Sequence, residues 1–163
     1  MTKSDRELPL AIMASDVATR RKGSAYPEAF RARVAGREKR ALGDVFGLTN
    51  FGVNLTRLAP GSESSLLHRH SRQDEFVFVL EGAPTLVTDA GEIELKPGMC
   101  AGFAALGRAH HIVNRSDSDA VFLEIGDRTS GDEGAFPADN IKALLRPDGI
   151  WEFCQKDGRP FEG

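Results

Sequence analysis

The rhythm of hydrophobic and polar positions changes at about Phe46. From there, short runs rich in Val, Leu, Ile, Phe and Thr are punctuated by Gly, Pro, Asp and Ser, as in strands joined by tight turns. Phe51 to Leu58 reads as a strand stopped by Pro60-Gly61, and Glu75 to Leu80 as one stopped by Gly82. Thr85 to Thr88 leads into the turn Asp89-Ala90-Gly91. Glu92-Ile93-Glu94-Leu95 alternates with period two, the mark of a half-buried strand, and ends at Pro97-Gly98. Ala109 to Asn114 and Ala120 to Ile125 flank the polar turn from Arg115 to Asp119. Many short, evenly spaced strands predict a sandwich or barrel. Beyond Gly126 the pattern is irregular: Asn140 to Leu145 suggests one short helix and Gly149 to Phe153 a last strand, in a tail expected to pack on the core.

A length of 163 residues fits one domain. The hydrophobic share of 40%, charged share of 28% and net charge of −3 exclude a disordered or fibrous chain. The longest purely apolar run is Phe76 to Leu80, far short of the roughly 20 residues of a membrane span. Leu8 to Ala14 makes a poor secretory signal, since it contains Pro9 and follows Asp5 and Glu7. Cys100 and Cys154, distant and alone, are neither a disulfide framework nor a CxxC site, so a cytoplasmic protein is expected. Charge is uneven. Residues 20–40 hold eight basic residues against two acidic. With no aromatic stacking pattern and no recognised nucleic-acid motif, this run reads as a solvated, partly helical arm rather than a nucleic-acid surface. Neither nucleic acid nor membrane is an expected partner.

All four histidines cluster at positions 68, 70, 110 and 111. In an extended His68-Arg69-His70 both imidazoles share a face, because strand side chains alternate. Such a pair can reach one metal ion, or sit at the surface with no ligand role. Glu75 opens the next strand and can add an oxygen; His110 opens a later one. Imidazole and carboxylate together suit Fe, Mn, Ni or Zn, and two His with one carboxylate is the non-haem iron pattern. Ser64, Ser65 and Ser71 have no acid in a triad arrangement. Val77 and Val79 share the face of Glu75, opposite Phe76 and Phe78. Phe103 and Phe122 are expected to fill a core, and Trp151 to cover one.

Two segments carry a family resemblance. Gly61-(x6)-His68-x-His70-(x4)-Glu75-(x6)-Gly82 resembles the first cupin motif, and Gly107-(x2)-His110-(x3)-Asn114 the end of the second. The resemblance spans roughly residues 42–130 and is nearest to small single-domain cupins. It implies an all-β fold: a cupin jelly-roll β-barrel, or double-stranded β-helix, with an N-terminal arm over 1–41 and a C-terminal extension over 131–163. It also implies a divalent metal ion held by His68, His70, Glu75 and His110. Two departures stand out. Ala105-Leu106-Gly107 replaces the usual Pro-x-Gly, and six residues rather than five separate Gly61 from His68. By alternation His111 faces away from His110, in a supporting or surface place, and Asn114 reads as a backbone-bonding turn residue.

Because fold does not fix function, three expectations follow. The first is a metal-dependent enzyme on a small organic molecule, of oxygenase or of isomerase or lyase type. The second is a non-catalytic small-ligand-binding or sensor cupin. The third is a structural cupin. A homodimer is expected, with the segment Tyr26 to Phe30 crossing to a partner barrel and covering its sheet edge.

Overall fold

The strand signals resolve into antiparallel pairs. The computed structural model describes residues 8–20 and 24–162. Asp5 and Glu7, which flank the apolar N-terminal run, and Arg21 and Lys22 of the basic run lie outside them. Strand β1 is Arg37–Ala41, β2 Phe51–Leu58, β3 Arg69–His70, β4 Glu75–Glu81, β5 Thr85–Thr88 and β6 Gly91–Glu94. Then come β7 Cys100–Phe103, β8 His110–Val113, β9 Ala120–Asp127, β10 Glu133–Ala135, β11 Lys142–Leu145 and β12 Trp151–Cys154. They build three sheets, in the orders β1-β2-β9-β4-β7, β12-β11-β10-β3 and β6-β5-β8. This is the expected all-β jelly roll. No helix among the described residues is long and apolar enough to cross a membrane.

The five-stranded and three-stranded sheets face each other across the main core. Leu58, Val77, Val79 and Phe122 meet Leu86 and Ile112 there, with Leu95 closing one end. Each is at most 7% exposed, so the whole layer is withdrawn from water and stabilises the barrel by hydrophobic burial. A turn at Gly82 closes one end of β4. Its φ of +80° is left-handed, and a Cβ there would lie 2.5 Å from the Asp119 carbonyl oxygen. A second core ties the two ends of the chain together. Tyr26 and Val34 pack with Leu66, Phe136, Ile141 and Ala143, and Trp151 and Phe153 cover them.

Three local expectations are overturned. The stretch from Asn140 to Leu145 is no helix: Lys142–Leu145 is strand β11, paired with β10 and β12. Its Ala143 is buried and Leu144 exposed, so period two prevails over the apolar run that suggested a helix. The basic run is not a solvated arm. After the single helical turn α1, Glu28–Arg31, residues Arg37–Ala41 pair along β2 from Arg37↔Leu58 to Ala41↔Asn54. Alternation then turns Arg37, Lys39 and Ala41 to the same face, and Lys39 meets Glu124. Arg33 is likewise engaged, forked between Glu63 and Asp139 with bonds of 2.9 to 3.1 Å. Finally, β6 is exposed on both faces, with Ile93 at 53%, because it is an edge strand.

Candidate metal centre

His68 lies beside His110 in an isolated bridge, with backbone bonds of 2.8 and 3.1 Å running both ways between them. His70 ends β3, Glu75 begins β4 and His110 begins β8. Each residue therefore reaches the same point from a different sheet or sheet margin. His68, His70 and Glu75 bring donor atoms within 4.8 Å of one another. Glu75 Oε2 sits 2.9 Å from His110 Nε2 and 3.3 Å from both His68 Nε2 and His70 Nε2. His68 Nε2 and His70 Nε2 are 3.1 Å apart. All four expected residues thus meet.

The Nδ1 atoms decide what the Nε2 atoms can do. His68 Nδ1 donates to the Leu66 carbonyl at 2.9 Å, and His110 Nδ1 to the Arg108 carbonyl at 3.2 Å. His70 Nδ1 donates to Asp132 Oδ2 at 2.5 Å. With the proton on Nδ1, a neutral imidazole presents a lone pair on Nε2. Three lone pairs and a carboxylate oxygen around one point repel unless a cation or shared protons sit among them. The spacing suits an ion. Ligands about 2.1 Å from a metal stand about 3.0 Å apart at right angles and about 3.4 Å apart in a tetrahedron. The donor set, two His and Glu with a third His on the same oxygen, fits Fe, Mn, Ni or Zn.

Where shared protons rather than a cation hold the cluster together, its Nε2 atoms donate and its charges shift accordingly. Burial opposes ionisation of Glu75, but hydrogen bonds from His110, His68 and His70 outweigh it and hold the carboxyl well below its usual range. Burial also opposes charge on His70, yet Glu75 and then Asp132 win and raise its pKa to about 9. Glu75 and Asp132 thus draw positive charge into the cluster, whether it is carried by protons or by a cation.

Aromatic neighbours fix the rings. Phe103 stacks flat on His110, with centroids 3.5 Å apart and planes 2° apart. So Phe103 serves the site rather than only filling the core, while Phe122 is a fully buried core residue. Phe136 and Trp151 of the tail lie 5.8 and 5.7 Å from His68 and His70. The altered turn is held by other means. Ala105 N–H, which a proline would lack, donates to Asp74 Oδ1 at 2.8 Å. Leu106, at φ 60°, donates its N–H to the His70 carbonyl at 2.8 Å.

His111 is 8% exposed, not a surface residue, and its Nδ1 bonds the Ser65 carbonyl at 2.9 Å. Burial lowers its pKa, only partly offset by that carbonyl. Asn114 is fully buried; its amide donates to Leu58 O and Ser118 O, and its Oδ1 accepts from Ser116, as a turn residue should. The sequence did not single out Asp132, which is 1% exposed and also accepts from Ser71 Oγ and Arg72 N. Nor did it single out Glu124, the one charge between Ala120 and Ile125 and the one local signal available.

Beside the cluster, inside the barrel, lies a cavity of about 190 Å³. Glu75, His110 and Phe103 line one side, and Lys39, Asn54 and Glu124 another. Arg20 and Arg128 also border it. They share the single carboxylate of Asp44, at 3.9 and 2.5 Å, and Asp127 borders the cavity beside them, so that side carries both signs of charge.

Residues 54–126 match the Cupin domain family. A crystal structure from Silicibacter pomeroyi, described as a sugar phosphate isomerase from a cupin superfamily, superposes with a TM-score of 0.86. It is 42% identical, over 93% of this chain and 96% of the other.

The chain belongs to the cupin superfamily.

A second structure, from Acidithiobacillus ferrooxidans and provisionally called a sugar phosphate isomerase, is 32% identical. The match covers 74% of this chain and 77% of that one, with a TM-score of 0.69. The polyketide cyclase RemF of Streptomyces resistomycificus, at 22% identity and a TM-score of 0.60, shares the fold over 72% of this cupin and 78% of its own length. No curated protein sequence matches the chain.

Proposed function

We propose that this cupin is a metal-dependent isomerase of a small phosphorylated sugar, with one divalent ion held by His68, His70, Glu75 and His110. The observation that carries the reading is the convergence of three Nε2 atoms on Glu75 Oε2, at the edge of a charged cavity. A bound divalent ion would supply Lewis-acid polarisation of a substrate carbonyl or hydroxyl oxygen. The chain's own residues supply the rest. Asp132, Leu66 O and Arg108 O keep the three imidazoles in one tautomer. Phe103 locks the His110 ring and walls off one side of the cavity. Arg20 and Arg128 offer guanidinium groups suited to a phosphate. Of the enzyme classes expected from the sequence, the relatives in Silicibacter and Acidithiobacillus and the polar, charge-lined cavity favour an isomerase over an oxygenase.

The test begins with elemental analysis of protein purified without a metal-affinity tag, beside a His68→Ala/His70→Ala double variant. Near-stoichiometric metal in the wild type alone is expected. Both proteins are then incubated with ribose 5-phosphate, arabinose 5-phosphate, glucose 6-phosphate and mannose 6-phosphate and followed by NMR. Aldose-to-ketose conversion by the wild type alone is the expected result. A metal-free wild type after reconstitution, or equal turnover by the double variant, would overturn the proposal.

A further inference from the structure

Glu124 is a second carboxylate in the cavity, and nothing in the metal cluster uses it. Strand register places it. Glu75 pairs with Gly126, and Val77 with Glu124, so Glu75 and Glu124 are diagonal neighbours on one face of the sheet. Such neighbours stand about 7–8 Å apart. Gly126, opposite Glu75, puts no side chain between them, and Gly52, opposite Gly126, makes room for the Arg128 guanidinium, 3.4 Å from where a Cβ would stand. Glycine at the first position leaves room beside the His110–Glu75 pair, and glycine at the second admits a cationic side chain to the cavity edge.

The two oxygens of Glu124 differ. Oε2 accepts from Thr56 Oγ1 at 2.6 Å and from Lys39 Nζ at 2.6 Å. Oε1 takes no hydrogen bond from any described residue, and it is not sealed from solvent. Thr56 is fully buried, so the anchor is rigid. Asn54, paired with Glu124 on the adjacent strand, adds a second unmet need. Its Oδ1 is the one buried side-chain polar atom without a partner among the described residues. An unpaired buried acceptor calls for a donor from a ligand. A carboxylate with one oxygen tethered and one free, beside an acceptor awaiting a hydroxyl, is the equipment for a polyol carbon bearing a removable proton.

We infer that Glu124 is the proton-transfer residue of this cupin, oriented by Lys39 and Thr56, with Asn54 binding a substrate hydroxyl. The inference rests on the isomerase reading. Glu124 Oε1 takes the proton from C2 of the aldose. The C2–H electron pair becomes the C1=C2 bond, and the carbonyl π pair moves to O1, giving an enediolate. Glu124 returns the proton to C1, the O2 proton passes to O1, and the ketose leaves with the same atoms and electrons.

The experiment uses Glu124→Gln in the metal-loaded full chain, with three readouts. These are metal content, calorimetric binding of the unreactive polyols glucitol 6-phosphate and ribitol 5-phosphate, and NMR in D₂O with the four aldose phosphates named above. Metal content and polyol affinity within about threefold of wild type, with turnover and deuterium entry at carbon down at least about 100-fold, is the expected result. Turnover within threefold of wild type would overturn the role of Glu124 while leaving the isomerase reading intact. A wild type inert toward all four sugars would overturn both. If the Gln variant does not fold, Glu124→Asp decides. It keeps the charge beside Lys39 but withdraws the free oxygen, and it should lower kcat at least tenfold with metal unchanged; an unchanged kcat refutes the inference.

Discussion

Replacing Asp132 by Asn tests how the tail holds the metal centre. Asp132 is 1% exposed and accepts three hydrogen bonds: from His70 Nδ1 on Oδ2, and from Arg72 N and Ser71 Oγ on Oδ1. An asparagine has one acceptor. The backbone N–H of Arg72 cannot turn away, so the amide oxygen stays with it and the NH₂ group faces His70. A donor there favours the tautomer with its proton on Nε2, pointed at the cluster. Metal affinity should fall about 10–100-fold, the usual consequence of losing a ligand's supporting partner. The metal-free fold should lose only about 1–2 kcal/mol, because shape and two hydrogen bonds survive. Asp132→Ala strands three donors and should cost about 3–5 kcal/mol. Competition against a chromophoric chelator reads the first quantity, and urea unfolding in EDTA the second. An Asn variant that binds metal within twofold of wild type would refute both the tautomer argument and the place of His70 among the ligands.

Gly82→Ala forces a Cβ to 2.5 Å from backbone and should cost about 3 kcal/mol or more, whereas Gly61→Ala, at a similar φ of +77° but in open space, should cost about 1 kcal/mol. Urea midpoints that fail to separate the two would show that β4 shifts freely at Gly82. Burial, opposed by the Leu66 N–H, pushes the Tyr26 phenol from 10.0 up to about 12. The folded state keeps that proton longer than the unfolded chain, so stability present below pH 10 should decline between pH 10 and 12, by about 2–3 kcal/mol in all. Tyr26→Phe should remove this share of the alkaline slope. Chelation should lower the melting temperature of the loaded protein by roughly 10 °C and leave the His68→Ala/His70→Ala variant unmoved, since an ion bound only by the folded state stabilises it.

The barrel was legible because its strands obey local rules. Phe51–Leu58 and Thr85–Thr88 begin and end where alternation and turn residues place them. Val77 and Val79 point into the core on the face of Glu75, as period two demands. The metal cluster was legible because HxH keeps two rings on one face and no other histidines compete. What the sequence hid is long-range. Asp132 meets His70 only because β10 pairs with β3, a ladder of two residue pairs 64 to 66 positions apart in the chain. Glu124 was masked by its neighbours: Leu123 and Ile125 are as apolar as Phe122, so neither face of β9 announced itself. The basic run misled for the opposite reason, since charge suggests solvent even where Lys39 points inward to a carboxylate.

The same topology explains why the ligands sit where they do. Glu75 belongs to the five-stranded sheet, His70 to the four-stranded sheet and His110 to the three-stranded sheet. Only at the seam where all three meet can side chains from β3, β4 and β8 share one point. That seam has two sides. Toward the barrel it opens on the cavity lined by Glu124, Lys39 and Asn54. Toward the tail Phe136, Trp151 and Asp132 flank His68 and His70 beside a second, smaller cavity of about 130 Å³, and Asp132 anchors His70. An ion there would therefore draw its rigidity from the tail and meet its chemistry in the barrel. Changes to the tail should act first on metal affinity, and changes to the barrel wall first on turnover.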